Sequence, residues 1–381
     1  TVPDLKQTAD SLKNFEIVGM GLGDLVWDAM NLYAPYRQAV SNLGMTMFQL
    51  MGNHDFNLLY KSITQTDHPA DGYGEQNYYQ SFGPANYSFN IGKVHVIAMK
   101  DIDYDGNKKY TERFTPEDLD WLRKDLSYVP KGNIVFLNVH APVANNTVAA
   151  GGNARNANAL FQLLRPYQVH IFSGHTHFYE NQLPAPTIYE HNIGAACGAW
   201  WNSTINVDGT PNGYAIYNIK GATITDWVYK GTGLDAQQQI RLYRANDIFM
   251  RDYSKNYQFY YKGDDQIVAN VWNADKDWKI EVYENGIKTG EMTHFDYTGN
   301  EKDKSWDAWA LGYHIGVVGK AELDSNKKPT SYYQRNVRHL YYYTLQSPTA
   351  SVEVRATDRF GTTFTQTKFT TGLAEDFPVG E

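Results

Sequence analysis

Four short stretches of this 381-residue chain carry side chains able to do chemistry: Gly23-Asp24, Gly52-Asn53-His54-Asp55, His140-Ala141-Pro142 and Ser173-Gly174-His175-Thr176-His177. Carboxylate, amide oxygen and imidazole together make a metal-ligand set, and a histidine beside an aspartate also suits acid–base work. Such a mixed N/O set without thiolate suits Mn, Fe or Zn, and does not suit copper(I) or an iron–sulfur cluster. Asp24 can bridge two cations through its two oxygens. His175 and His177 would share one face of a straight strand, but at a turn after glycine they can address two different ions. A two-metal site with ions about 3.5–4 Å apart is then within reach. His54 would be free to act as an acid, with Asp55 holding its orientation. Taken alone, Gly52 to Asp55 reads equally well as a helix cap with a surface histidine. The other three stretches change the odds, because each stands just after an apolar run, so that all four can meet at one edge of a sheet.

The elements that must position them follow from periodicity and caps. Pro3 to Asn14 reads as a helix, with proline in its first turn. Phe15 to Leu22 reads as a strand, Asn31 to Leu43 as a helix, and Thr46 to Met51 as a buried strand. Asp67 to Gly74 is polar and reads as a loop; Tyr87 to Asn90 and Lys93 to Met99 form a hairpin. Thr115, Pro116, Glu117 and Asp118 open a helix that runs to Leu126. Ile134 to Val139 and Val169 to Phe172 are buried strands separated by a helix over Asn156 to Leu164. This alternation predicts a layered α/β domain. After His177 the pattern turns to strands: Ile193 to Trp201, Gly213 to Ile219 and Ala222 to Lys230. Gly231 to Asp235 makes a boundary. Beyond it Gln266 to Trp272, Trp278 to Glu284, His339 to Leu345, Ser351 to Ala356 and Thr362 to Thr370 predict an all-β sandwich. The expected fold is therefore an α/β (α+β layered) domain over residues 1–236 and a C-terminal β-sandwich over 237–381.

Length favours two cores over one. The net charge of −8 argues against nucleic acid as a partner, but not against a phosphorylated small molecule, since bound cations can supply local positive charge. One cysteine, Cys197, allows no internal disulfide, and no apolar run reaches the roughly 18–20 residues that span a bilayer. The chain starts at Thr1 without Met, and we expect it to be a processed or truncated piece of a longer protein.

Gly23-Asp24, Gly52-Asn53-His54-Asp55, His140 and Gly174-His175-Thr176-His177, in that order, resemble the calcineurin-like metallophosphoesterase superfamily. Ser81-Phe82-Gly83-Pro84, Ala196-Cys197-Gly198-Ala199-Trp200-Trp201 and the β-rich tail resemble a bacterial subfamily with a β-sandwich on each side of the catalytic domain. The resemblance implies hydrolysis of phosphate mono- or diesters by a hydroxide bridging two divalent ions of Mn, Fe or Zn type, with the catalytic domain itself a β-sandwich flanked by helices. It implies Asp24 as bridging carboxylate, Asn53, His140 and His175 as the other ligands of the second metal, and His177 as a ligand of the first. It makes His54 the acid at the leaving group and Asp55 its orienting partner. The family's first motif, Asp-x-His or a variant with Gln, has no match before Gly23, since Asp4 and Asp10 fall on the first helix without a histidine. We expect that motif to lie in sequence preceding Thr1, and this chain to bind one metal or none. The sequence does not fix the compartment; the periplasm or cell envelope is slightly favoured over the cytoplasm. The competing reading is a catalytically silent scaffold whose tail binds carbohydrate or a protein partner.

Several residues stand outside these motifs. His95 and His170 read as structural. His68 and Tyr73 would form either a substrate lid or a plain loop. Arg155 reads as a solvated helix start more readily than as a phosphate ligand. His191 and Asn192 are candidates to line the pocket. Trp200 and Trp201, adjacent on an expected strand, should face opposite ways, one into the core and the other able to stack on a base or sugar. His314 and His339 in the tail should ligate nothing.

Overall fold

The structure is a computed structural model, and it describes residues 1–57, 71–106, 108–144, 156–201, 203–245, 265–295, 305–314, 318 and 336–371. In chain order its elements begin with α1 (Val2–Ser11), β1 (Val18–Gly21), α2 (Tyr33–Ser41), β2 (Thr46–Gln49), α3 (Asp71–Phe82), β3 (Tyr87–Ile91) and β4 (Val94–Ala98). They continue with the hairpin β5 (Ile102–Gly106) and β6 (Lys109–Glu112), then α4 (Pro116–Leu126), β7 (Ile134–Asn138), α5 (Ala157–Leu164), β8 (Gln168–Ser173), β9 (Glu180–Ala185) and β10 (Ile188–Asn192).

Strands β3, β4, β7, β8, β10 and β9 lie side by side in that order in one six-stranded sheet. β4 and β7 are buried at every position, as expected for strands covered on both faces. On one face Leu122, Leu126, Leu160 and Leu164 of α4 and α5 pack against Val135, Leu137, Val169 and Ile171. On the other, Val96, Phe136 and Phe172 meet Met20 and Leu22 at the end of β1, and Tyr217 and Ile224 of the hairpin β11 (Gly213–Lys220) and β12 (Thr223–Gly231). Strands β4, β7, β8 and β10 run parallel, so the residues following β7 and β8 emerge at the same edge. β1 and β2 also pair in parallel, and they deliver Asp24 and Asn53 together. Helix α4 starts as its sequence predicts: Thr115 Oγ1 accepts from Asp118 N, and Asp118 Oδ2 accepts from Thr115 N.

Two local expectations fail, and a glycine stands at each. Asp67 to Gly74 is not one loop: residues 67–70, His68 included, lie outside the described residues, while Asp71 to Gly74 open α3. Gly74 lets that helix press on the 53–56 turn, because a Cβ there would sit 2.8 Å from Phe56 Cα. Ile193 to Trp201 is not a strand. Gly198 takes φ +70°, and Trp200 and Trp201 follow at +51° and +58°, so the chain coils back on itself; a Cβ at 198 would run into Ser203 O.

The C-terminal part stacks two four-stranded sheets face to face. Ile240, Leu242, Ile267 and Val271 from one interdigitate with Ile280, Val282, Val354 and Ala356 from the other. A polar cluster ties this sandwich to the segment that follows His177. Asp208 Oδ2 accepts from Tyr179 N at 2.7 Å and faces His339 Nε2 at 3.0 Å, while Asn270 Nδ2 donates to Asp208 O at 2.8 Å.

Helix α1 is held to β11–β12 by one carboxylate. Asp4 accepts from Tyr214 Oη at 2.6 Å, Lys230 Nζ at 2.9 Å and Gly233 N at 2.8 Å. Burial alone would raise its pKa, but Lys230, Tyr214 and Gly233 together hold it below the ordinary 3.8. A depressed folded value means that this stabilisation is fully present above about pH 3.8 and is lost as pH falls through the folded pKa. Asp4→Asn should therefore cost about 1–2 kcal/mol at pH 7, near the low end for hydrogen bonds to a charged group, and less at pH 3. Urea unfolding at the two pH values measures the difference; an equal loss at both would show that the charge is irrelevant.

Candidate metal centre

The site forms where the loops after β1, β2, β7 and β8 crowd together. Gly23, at φ +90°, and Gly52 make that approach possible: a Cβ on Gly23 would collide with His140 Nδ1 and come within 2.8 Å of Gly52 N, and a Cβ on Gly52 would collide with Asp24. Asp24 itself takes φ +51°, and its Oδ1 accepts from His54 N at 2.9 Å. His140 leaves β7 with its backbone N–H bonded to Asp101 Oδ1 at 3.0 Å, and Ala141 N donates to the other oxygen at 2.8 Å. Its Nδ1 donates to Leu22 O at 2.7 Å, which directs Nε2 inward. That Nε2 lies 3.1 Å from Asn53 Oδ1, 3.1 Å from His175 Nδ1 and 3.3 Å from Asp24 Oδ2. Among the described residues, Asp24, His140 and His175 form the cluster of carboxylate and imidazole donors whose ligand atoms fall within 4.8 Å of one another.

These separations test the fit of a divalent ion. Donors bonded at about 2.1 Å stand about 3.0 Å apart along an octahedral edge and about 3.4 Å apart along a tetrahedral one. The spacings around His140 Nε2 fall between those values, and two nitrogens with two oxygens suit Mn, Fe or Zn. The residues fit the ion.

Charge supports this geometry. Burial alone would raise the Asp24 pKa, but the His140 imidazole beside it holds its carboxyl well below the usual range. Burial works against charge on His140, yet Asp24 carries it up to about 9. His177 is pushed down to about 4, chiefly by burial, and so is a neutral imidazole at pH 7. It sits outside the tight cluster, with Nδ1 3.2 Å from Gly198 O and its ring stacked 4.6 Å from that of Trp200.

Asp55 corrects the reading of the fourth motif. Its carboxylate accepts from Gly52 N at 2.9 Å, from Leu25 N at 3.1 Å and from Tyr33 Oη at 3.4 Å, so it braces the two metal-bearing loops. Burial first and the Asp24 charge second raise it to about 7. The partner of His54 is Asp28: Nδ1 to Oδ1 is 2.7 Å. Asp28 also takes Asn57 Nδ2 at 2.7 Å and Lys108 Nζ at 2.9 Å. Adjacency misled here, because the side chains of 54 and 55 leave a 3-10 turn in different directions.

Four acids that sequence reasoning passed over serve the site: Asp28, Asp101, Glu112, whose Oε1 is 3.4 Å from His175 Nε2, and Glu190. Glu190 accepts from Val143 N, Ala144 N and Ser173 Oγ, tying the strand ends that carry His140 and His175. Asp101 carried a usable signal, since it stands just after an apolar strand as the four motifs do. His191 does not line the pocket; it is fully buried, with Nε2 2.9 Å from His170 Nδ1. Asn192 secures the His175–His177 turn by donating to Phe178 O at 2.8 Å. His95 pairs with Asp125 at 2.7 Å, His314 lies 3.0 Å from Ser203 Oγ, and Arg155 lies outside the described residues.

Comparison with known proteins identifies the family. The family description "Calcineurin-like phosphoesterase" matches residues 3–179, and "C terminal of Calcineurin-like phosphoesterase" matches residues 190–364. No curated protein sequence matches significantly. Similar solved structures include a dimetal phosphatase from Danio rerio, at 13% identity and TM-score 0.37, covering 51% of this chain and 77% of that one. Purple acid phosphatase PPD1 from yellow lupin (Lupinus luteus) seeds shows 16% identity and TM-score 0.37, covering 51% and 39%. Zinc-complexed Vps29 from Entamoeba histolytica shows 13% identity and TM-score 0.29, covering 59% and 81%. No described helix is long and apolar enough to cross a membrane. The two family matches follow one another along nearly the whole sequence, and the chain belongs to the calcineurin-like phosphoesterases, metal-dependent hydrolases of phosphoric esters.

Proposed function

We propose that this chain hydrolyses phosphate mono- or diesters of small molecules, with Asp24, Asn53, His140 and His175 holding one divalent ion tightly and Asp24 with His177 offering donors to a second. The observation that carries the reading is the convergence of four donor atoms within 3.1–3.3 Å of, or at, His140 Nε2. A divalent ion there supplies Lewis acidity and a water of near-neutral pKa. The protein supplies the rest. Asp28 fixes His54 through Nδ1, leaving Nε2 to carry the transferable proton. Burial lowers the His54 pKa, but the Asp28 hydrogen bond and the Asp24 charge outweigh it and raise the pKa above the ordinary 6.5. The shift favours the protonated ring, and His54 gives that proton to the leaving oxygen. Glu112 keeps the His175 ring aimed, Leu22 O aims the His140 ring, and Asp101 anchors the His140 backbone. We assign the chemistry to residues 1–236 and a supporting role to 237–381, because His314 and His339 are engaged in contacts away from the site.

The test is turnover of p-nitrophenyl phosphate and bis(p-nitrophenyl) phosphate before and after metal stripping and Mn²⁺ addition. Metal-restored hydrolysis of either supports the reading, and the ratio between them separates monoesterase from diesterase. Full metal uptake without hydrolysis of either would favour a silent scaffold.

A further inference from the structure

Beside His54 the chain spends backbone strain to hold two tryptophans. Trp200 and Trp201 are consecutive bulky residues at positive φ, a conformation with a steric cost for each that persists only where the surroundings impose it. The two rings have different uses. Trp200 lies face to face with His177 at 4.6 Å and 19°, so it is committed to that imidazole. Trp201 is 41% exposed. Its ring centroid is 4.3 Å from Trp27, 5.4 Å from His177 and 6.4 Å from His54, while Trp27 lies 5.1 Å from His54. Trp27 and Trp201 therefore form an aromatic wall on the side of the proton donor.

A group that receives its proton from His54 leaves on that side. We propose that the wall of Trp27 and Trp201 binds the leaving group, and that the preferred substrates are phosphate esters whose alcohol carries a flat, uncharged aromatic ring, as in benzyl-type and nucleoside esters. This deepens the phosphoesterase reading and rests on it. The chemistry of the wall favours a ring over other apolar groups. An exposed indole face stacks on any planar π system without regard to its hydrogen-bond pattern. A quaternary ammonium is best held by aromatic faces with a carboxylate at hand, and the acid here, Asp28, is taken by His54, Asn57 and Lys108.

The test uses esters close in leaving-group size that differ chiefly in planarity: benzyl against cyclohexylmethyl, each as the phosphate monoester and as the methyl phosphate diester, with the Mn²⁺-loaded chain. The expected kcat/KM ratio, benzyl over cyclohexylmethyl, is about tenfold, the scale of one stacking contact. Trp201→Ala should bring the ratio near one, with the change in KM, and Trp201→Phe should keep most of it. A ratio near one in the wild type, or a Trp201→Ala variant that slows both esters alike and keeps their ratio, overturns the proposal. If neither ester turns over, the phosphoesterase reading fails separately. Binding then still decides the wall: saturation-transfer NMR with benzyl methyl phosphate should label its ring protons in the wild type and not in Trp201→Ala, and equal transfer in both, or none in either, overturns it.

Discussion

His54→Ala should lower kcat by about 10²–10⁴-fold, the usual contribution of a positioned general acid, while the bound metal stays at the wild-type level. The separation of effects follows from the geometry. His54 contacts the metal cluster through its backbone, by donating N–H to Asp24 Oδ1 at 2.9 Å, and that bond survives the substitution. Its ring faces Asp28 and Trp27. Asp28→Asn keeps the shape of that partner but removes its charge, so it should cost less than the loss of the ring. Groups acting as one unit are not additive, and Asp28→Asn added to His54→Ala should therefore cost almost nothing more. Asp55→Asn is a contrasting control: it weakens a brace between Gly52 and Leu25, so its main effect should be on stability. Kinetics together with metal analysis on these variants, on Asn53→Ala and on the wild type check this. Metal loss in His54→Ala as large as in Asn53→Ala would show the roles to be misassigned.

How far the sequence carries can be read from these residues. The motifs that hold Asp24, Asn53, His140 and His175 each end an apolar strand, and parallel strands bring such ends to one edge, so their convergence was legible. The two-sheet tail was legible for a similar reason, since alternating burial in the strands Lys279–Glu284 and Val352–Thr357 mirrors alternating polarity in the sequence. Roles set by a handful of torsions were not legible. Asp28 was hidden because nothing in its type distinguishes it from a surface aspartate; it meets His54 from a residue at positive φ, +48°. The tryptophan pair was misread as a strand because aromatic residues favour strands, and the constraint that overrides this propensity is a glycine packed against Ser203 O. Glu112 comes from a polar hairpin with no apolar run to announce it, and its role appears only once β5–β6 is placed beside His175.

The second large effect concerns the metal. The purified chain, equilibrated with excess Mn²⁺ and then desalted, should retain about one ion. The reason is the unequal donor supply among the described residues. His140 Nε2 and the three donors around it make a near-complete shell, whereas Asp24 and His177 alone would leave a second ion mostly hydrated. At a free concentration of 100 Kd a bound ion stabilises the fold by about 2.7 kcal/mol, so chelation should lower the melting temperature by several degrees. His140→Ala removes the nitrogen that touches all three other donors. It should abolish both metal retention and the response to chelator, and with them any Mn²⁺-dependent turnover. His177→Ala touches only the weaker set, and should leave the one retained ion and the melting shift nearly intact while lowering activity at saturating metal. Two ions retained after desalting would refute the unequal supply. A chelator response that survives in His140→Ala would place the tight ion somewhere other than this cluster.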